Sequence, residues 1–339
     1  MKSAPEYPFV SIIMPIRNEE NFIARSLGAV LAQDYPKEKM EIIIADGISN
    51  DATLDIIEKL SQGEQIRIVS NPRHIQSAGL NAAIKLAQGE FIIRIDGHTI
   101  IAPDYVRQCV EILQMTQAQN VGGPMNPVGD TSMGKAIAAA GKSFFAVPSA
   151  FHISQQAQYT DTVYLGAWPR EVFDRIGGFC ENCGVNEDYE LNVRIRQSGG
   201  KIYFSPDIRS LYFGRQTLQA LMRQYHRYGR SKVMTLRKHP QSLKPRHLVA
   251  PIFVLFLVGG LILSFFFNEA RYVWLAGMLT YLVANLIVSI RLAAKTKWEY
   301  VWRLPLVFTI IHLAWGTGFW TEIISPTQQR DSAIIPQAR

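Results

Sequence analysis

Asp96 and His98 flank a single glycine directly after the apolar run 91–95. A carboxylate and an imidazole two positions apart on a turn can converge on one ion. A divalent cation held there would offset charge developing on a departing diphosphate. This donor pair suits Mn²⁺ better than Mg²⁺, with either admissible. A plainer role is open too, with Asp96 capping the next turn and His98 a polar surface side chain. Asp46 ends another apolar run, just before Gly47. A carboxylate there accepts hydrogen bonds from a nucleobase imide or ribose hydroxyls, or from the N–H groups of its own turn. Pro15, Asn18 and Glu19 close the first run. Asn18 is expected to cap the helix that follows, leaving backbone N–H groups facing the strand ends. Asp188, beside Glu187, opens an amphipathic helix. Acidic residues there suit the helix dipole, and Asp188 is also placed to act as a general base toward an acceptor hydroxyl. Gln224 and Arg227 share a helix face. Arg227 can grip a diphosphate bidentately and Tyr228 can stack on a sugar, or the segment is simply basic helix surface.

These residues need elements to hold them. Apolar, β-branched runs at 10–14, 42–45, 66–69 and 91–95 read as buried parallel strands. Helical patterns at 19–33, 51–62 and 77–88 alternate with them, which predicts an α/β layered domain. Ligands in such sheets bind beyond the strands' C-terminal ends, where Asn18, Asp46 and Asp96 all lie. Residues 121–160 break the pattern with Gly122, Gly123, Pro124 and Pro127 and read as an acceptor-side excursion holding a short helix at 135–145. A second compact section, 163–206, ends in a short strand at 201–205. No G-x-G-x-x-G follows any strand, which disfavours a dinucleotide redox enzyme.

The chain changes character near its middle. Hydrophobic residues make up 48% of it, but they crowd the last quarter. Uncharged runs at 248–267 and 272–290, and a weaker one at 304–321, are long enough to cross a bilayer. The third could instead lie along the interface. The net charge of +7 is also local: residues 209–247 hold ten Lys or Arg and no Asp or Glu. Because that block runs into the first span, and Arg291, Lys295, Lys297 and Arg303 lie between the second and third, both segments are expected on the cytoplasmic side. No nucleic-acid motif accompanies the charge, so nucleic acid is not the expected partner. Cys180 and Cys183 form a lone C-x-x-C without a second ligand pair and are expected as reduced thiols. Pro5, Glu6 and Pro8 interrupt the start of the chain, so no signal peptide is expected.

Taken in order, Pro-x-x-Asn-Glu at 15–19, Asp-Gly-x-Ser-x-Asp-x-Thr at 46–53, Asp-x-His at 96–98, Asn-Glu-Asp at 186–188 and Gln-x-x-Arg-Tyr at 224–228 resemble family 2 glycosyltransferases with a GT-A fold. Within that family they are most similar to ExoA-like enzymes of succinoglycan biosynthesis. The resemblance covers about residues 8–235, so residues 1–235 are expected to form the catalytic domain and 236–339 a basic juxtamembrane segment and membrane domain. It implies a mostly parallel nucleotide-sugar-binding sheet and inverting transfer, usually from a UDP-sugar. It further implies a divalent metal and a polyprenyl-diphosphate-linked saccharide acceptor at the cytoplasmic membrane. By the same resemblance Asp46 contacts the nucleoside, Asp96 and His98 take the metal, and Asp188 is the base. Gln224, Arg227 and Tyr228 would lie over donor and acceptor. Ala45, His98, Cys180 and Tyr228 depart from the usual residues. Three spans point to single addition over a processive synthase, and a catalytically inactive membrane scaffold is the other alternative.

Overall fold

The structure is a computed structural model and describes residues 7–61, 66–146 and 154–326. The first six residues, on which the signal-peptide reading partly rests, and Gln62 lie outside the described residues.

Strands β1 (Val10–Ile16), β2 (Met40–Asp46), β3 (Ile66–Ser70) and β4 (Phe91–Arg94) form the parallel half of the main sheet. β1 and β2 are buried along their whole length. That is why they read as unbroken apolar runs rather than alternating ones. Their side chains still alternate between two layers. Ile12, Met14, Ile42, Ile44 and Ile93 pack on Ile23 and Leu27 of α1 (Ile23–Leu31) and on Val106 of α4 (Tyr105–Thr116). Ile13, Ile43 and Ile92 face the other way, onto Leu80 of α3 (Gln76–Leu86) and Leu191 and Ile195 of α7 (Glu187–Gln197). A one-residue slip would exchange the layers, so the register is firmly specified. Between these helices in the chain lie α2 (Thr53–Leu60), α5 (Ser132–Gly141) and α6 (Glu171–Ile176).

The other half of the sheet comes from β6 (Asn120–Gly123), β8 (Gln158–Tyr159), β9 (Tyr164–Pro169) and β10 (Ile202–Phe204), in the order β3-β2-β1-β4-β9-β6-β10-β8. β9 runs antiparallel to both β4 and β6. A second sheet, β5-β11-β7, joins β5 (Thr99–Ile101), β11 (Ser210–Phe213) and β7 (Met125–Val128). The sequence reading recognised β10 but none of the other strands in this half. Strand order reverses between β1 and β4. The crevice at that switch point is where ligands bind in open α/β sheets, and it is framed by Asn18 and Glu19 on one side and Asp96 and His98 on the other.

One local expectation fails. Asn18 does not cap α1, which begins at Ile23 after an N-cap at Phe22. Instead Asn18 takes a left-handed φ of 54°. Its Oδ1 accepts from Asn50 N at 3.0 Å, while its own N–H donates to Ser49 Oγ at 2.9 Å. The residue stitches the end of β1 to the loop after β2.

After β11 the chain forms α8 (Leu218–Lys238), α9 (Val249–Ser264), α10 (Asn268–Lys295) and α11 (Leu304–Ile324). Three segments are long and apolar enough to cross a membrane: Pro245–Ser264, Asn268–Lys295 and Leu304–Ile324. α9 and α10 expose rows of large apolar residues such as Leu255, Val258, Leu279 and Leu282. α11 differs. Its Leu304, Val307, Phe308 and Ile311 are buried against Leu221 of α8 and Ala136, Ile137 and Ala140 of α5. Gly229 and Gly318 make the close approach of α8 and α11 possible. A Cβ on Gly229 would stand 2.1 Å from Trp315 O, and one on Gly318 would stand 2.1 Å from His226 O.

Candidate active site

Asp96 lies just past β4 and is buried. Arg94, the last residue of that strand, donates to it through Nε at 2.8 Å and Nη2 at 3.3 Å. Gln76, at the start of α3, donates to the same carboxylate at 3.2 Å. Arg94 also turns its Nη1 toward Glu187, 3.2 Å from Oε1. This is an ion-pair contact whose angle falls short of a hydrogen bond. A single buried guanidinium thus ties the Asp96 carboxylate to the first turn of α7. The carboxylates in turn hold Arg94 fully charged: burial opposes the charge, but Asp96 and Glu187 outweigh it.

Asp188 follows Glu187 and accepts from Tyr189 N at 2.7 Å. Burial is the main cause of a raised pKa at Asp188, with Asp96 adding to it and Arg94 opposing. Glu187 is pushed up to about 7, again mainly by burial, with Asp188 adding and Arg94 opposing. Two adjacent acids whose pKa values are lifted toward neutrality suit proton abstraction at physiological pH.

His98 closes the other side. Its Nδ1 donates to Glu19 Oε1 at 2.9 Å. Burial disfavours the charged ring, but the hydrogen bond and charge of Glu19, together with Asp96, raise its pKa. The bond to Glu19 fixes Nδ1 as the protonated nitrogen and leaves Nε2 as the one able to take an ion. The His98 ring stands edge-on to Tyr212, with centroids 5.3 Å apart. Tyr212 OH accepts from Gln224 Nε2 at 3.3 Å, and Tyr228 OH accepts from the same nitrogen at 2.9 Å. Gln224 and Tyr228 are thereby linked through Tyr212 to His98. Arg227 stands exposed, outside this network.

Asp46 sits at the tip of β2, its neighbour Ile16 at the tip of β1. Its carboxylate accepts from Ser49 Oγ at 2.6 Å and from Ser49 N at 3.2 Å. Ser49 also contacts Asn18, next to Glu19, so Asp46 belongs to the same rim. Pro15 pairs with Ala45 inside the sheet and sets the strand end. Asp96 and Asp188 thus share the field of Arg94, and Asp46 connects through Ser49 to Asn18, beside Glu19.

Sequence reasoning missed two residues here. Arg94 was visible as an arginine inside an apolar strand, a placement that calls for a buried partner. Arg215, just after β11, has no such signal, yet its charge acts on His98, Tyr212 and Tyr228. A further expectation is corrected: Cys180 and Cys183 are joined in a disulfide, not held as free thiols. Loop residues flanking Cys183 bring the two sulfurs together beside α7, whose Glu190 lies near them.

The sequence matches the family described as glycosyl transferase family 2 over residues 11–151, and glycosyl transferase family group 2 over residues 91–326. It is 29% identical over 331 residues to a dolichyl N-acetyl-alpha-D-glucosaminyl phosphate 3-beta-D-2,3-diacetamido-2,3-dideoxy-beta-D-glucuronosyltransferase of Methanococcus voltae, covering 93% of this chain and 97% of that one. It is 28% identical over 320 residues to the succinoglycan biosynthesis protein ExoA of Rhizobium meliloti, covering 92% and 94%. Among solved structures, the mannosyltransferase PcManGT of Pyrobaculum calidifontis, in complex with GDP-Man and Mn²⁺, has the same fold. The TM-score is 0.59 at 20% identity, over 92% of this chain and 88% of that one. With a GT-A sheet, acidic residues gathered at its switch point and family matches spanning catalytic domain and apolar helices alike, the chain belongs to glycosyltransferase family 2 and is an ExoA-like glycosyltransferase.

Proposed function

We propose that this enzyme transfers a sugar, with inversion, from a UDP-linked donor to a lipid-linked saccharide at the cytoplasmic face of the inner membrane. The observation that carries the reading is the Arg94 bridge, which joins Asp96 to the Glu187–Asp188 turn across the switch-point crevice. The name of the Methanococcus voltae relative includes a dolichyl-linked sugar phosphate, which supports a lipid-linked acceptor.

Asp46 binds the nucleoside, with Pro15, Asn18 and Glu19 shaping the floor of its pocket. Asp96 and His98 fit a divalent metal: a carboxylate held rigid by Arg94 and Gln76, and an imidazole oriented by Glu19. Such two-ligand sites are completed by substrate phosphates rather than by a full protein cage. Bound there, Mn²⁺ or Mg²⁺ supplies Lewis acidity to the leaving diphosphate. Asp188 removes the proton of the acceptor hydroxyl, which attacks opposite the leaving group. Arg94 holds the Asp96 carboxylate in place through two hydrogen bonds. Gln224 and Tyr228 cover the donor, and Arg227 is the mobile-armed cation that reaches the diphosphate once donor is present.

The packing of α11 supports a particular membrane arrangement. α11 lies along α8 from Leu304 to Glu322, and Arg230 and Arg237 of α8 pair with Glu322 at its far end, both at 3.0 Å. A spanning α11 would carry those arginines across the bilayer. α9 and α10 therefore form the membrane hairpin, and α11 rests at the interface on the catalytic side. Incubating membranes with UDP- and GDP-sugar panels, followed by lipid extraction, tests the reading. Sugar appearing in the lipid fraction from a UDP donor supports it, and transfer only to soluble acceptors contradicts it.

A further inference from the structure

One cationic cluster among the described residues has no part in the mechanism above. It surrounds Tyr189, the residue after Asp188. Lys232 of α8 places its ammonium 3.7 Å above the Tyr189 ring. Tyr189 OH donates to Ser242 O at 3.2 Å, in the turn between α8 and α9. From the next turn, Lys244 Nζ and Arg246 Nη2 donate to one oxygen of Asp161, at 2.7 and 2.6 Å. Arg196 of α7 adds a fourth cation, close enough to act on both Tyr189 and Lys232. Asp161 is the one carboxylate among them, and it is already shared by two cations.

The cluster is short of acceptors. Lys232 is only 5% exposed, and its ammonium lies against the face of the Tyr189 ring. Ser242 Oγ and Arg196 Nε are buried without partners. A buried cation among cations is unfavourable unless an anion completes the set. The strain shows in Lys232 itself, whose pKa is lowered to about 7, first by burial and then by Arg246. Side-chain exposure falls from Lys244 at 36% and Arg246 at 27% to the buried Lys232. Lys244 and Arg246 lie in the turns that lead into the first apolar helix. A phosphate, with several strong acceptor oxygens, matches the Lys232 ammonium, the Ser242 hydroxyl and the Arg246 guanidinium, which has N–H groups beyond the one it gives Asp161.

We propose that this cluster binds the phosphate of the membrane-anchored acceptor, with Lys232, Arg246 and Ser242 as donors beside Tyr189, the residue that follows the base. The assignment rests on the reading of the enzyme as one that acts on a lipid-linked acceptor. It explains why a basic cluster next to the first apolar segment packs on the helix that carries Asp188: anchoring the lipid phosphate there brings the attached sugar toward the base.

The test uses the full chain in detergent micelles, with affinities measured by microscale thermophoresis for polyprenyl monophosphate, phosphatidylglycerol, inorganic phosphate and UDP. Wild type should bind polyprenyl monophosphate more tightly than either other phosphate source. Lys232→Met and Arg246→Gln should each weaken that binding by about tenfold or more, the worth of one charge-assisted hydrogen bond, with UDP affinity unchanged. Arg246 is partly exposed, so its variant keeps the test valid if the Lys232 variant unfolds; unchanged UDP affinity certifies the fold. Undiminished polyprenyl phosphate binding in the folded Arg246 variant overturns the proposal. So does equal binding of phosphatidylglycerol, which makes the cluster a general headgroup site, or equal binding of inorganic phosphate, which makes it a site for a free anion. Failure of folded wild type to bind UDP counts against the donor reading alone, because the phosphate arms are read separately.

Discussion

Arg94 Nη1 lies 3.2 Å from Glu187 Oε1, and neither side chain is more than 6% exposed. Through this contact the end of β4 and the start of α7, 93 positions apart, become one electrostatic unit. Replacing Arg94 with Met leaves Asp96 and Glu187 buried without a counter-charge. Breaking a buried pair in this way costs about 3–5 kcal/mol. Chemical denaturation at pH 8 should show a loss of that order, with a smaller loss near pH 5, where Glu187 holds a proton. A loss under 1 kcal/mol would mean that the bridge is not formed.

Glu187 also sets a pH dependence of stability. Its folded pKa of about 7 lies above the ordinary 4.5, so the native state binds the proton more tightly than the unfolded chain. The contribution is full below about 4.5, declines as pH rises and is gone above about 7. Glu187→Gln removes this titration. Its unfolding free energy should vary less than wild type between those limits, measured at several pH values in one buffer series.

Activity should run the other way. In the proposed mechanism Asp188 works as the ionised base, and burial raises its pKa. The kcat–pH profile should therefore have an acidic limb above the usual carboxylate range, with rate rising as pH increases. A rate independent of pH from 5 to 8, under conditions where chemistry limits turnover, would argue against a raised base.

Glu19 orients His98 through the 2.9 Å bond to Nδ1. A carboxylate that holds a metal-binding histidine by its other ring nitrogen is worth about 10–100-fold in metal affinity. Glu19→Gln should raise the Mn²⁺ concentration for half-maximal activity by a factor in that range, leaving the KM for acceptor close to wild type. An unchanged metal requirement would remove His98 from the metal site.

The pairing of Glu322 with Arg230 and Arg237 underlies the proposed two-span topology, which can be checked cheaply. A reporter fused after residue 326 should be found on the same side as the N-terminal domain. Protease accessibility in right-side-out vesicles distinguishes this from a three-span arrangement, in which the reporter would lie outside.

The sequence shows some of this plainly and hides the rest for physical reasons. β1, β2 and β4 are buried on both faces, and their apolar runs announce it. β9 escapes notice because it contains Leu165 and Gly166 with φ of 60° and 118°, a backbone that no periodicity reports. The second sheet is assembled from strands of three or four residues, too short for a pattern. Asp96, His98 and Asp188 are legible because strand ends and helix starts carry recognisable residue orders. The Arg94–Glu187 contact and the reach of Arg215 toward His98 depend on elements that meet only in the fold. Asn18 was read as a cap from its type and position, but a left-handed turn places its side chain on the β2 loop instead. The Cys180–Cys183 bond depends on a turn geometry that spacing alone leaves open.

The most direct test of the account is the turnover of Asp188→Asn. With UDP-sugar and lipid acceptor supplied at saturation, kcat should fall by about 10²–10⁴-fold, the range for a lost general base, while UDP affinity measured by calorimetry stays within twofold of wild type. A variant that retains wild-type kcat would contradict the assignment of Asp188 as the catalytic base.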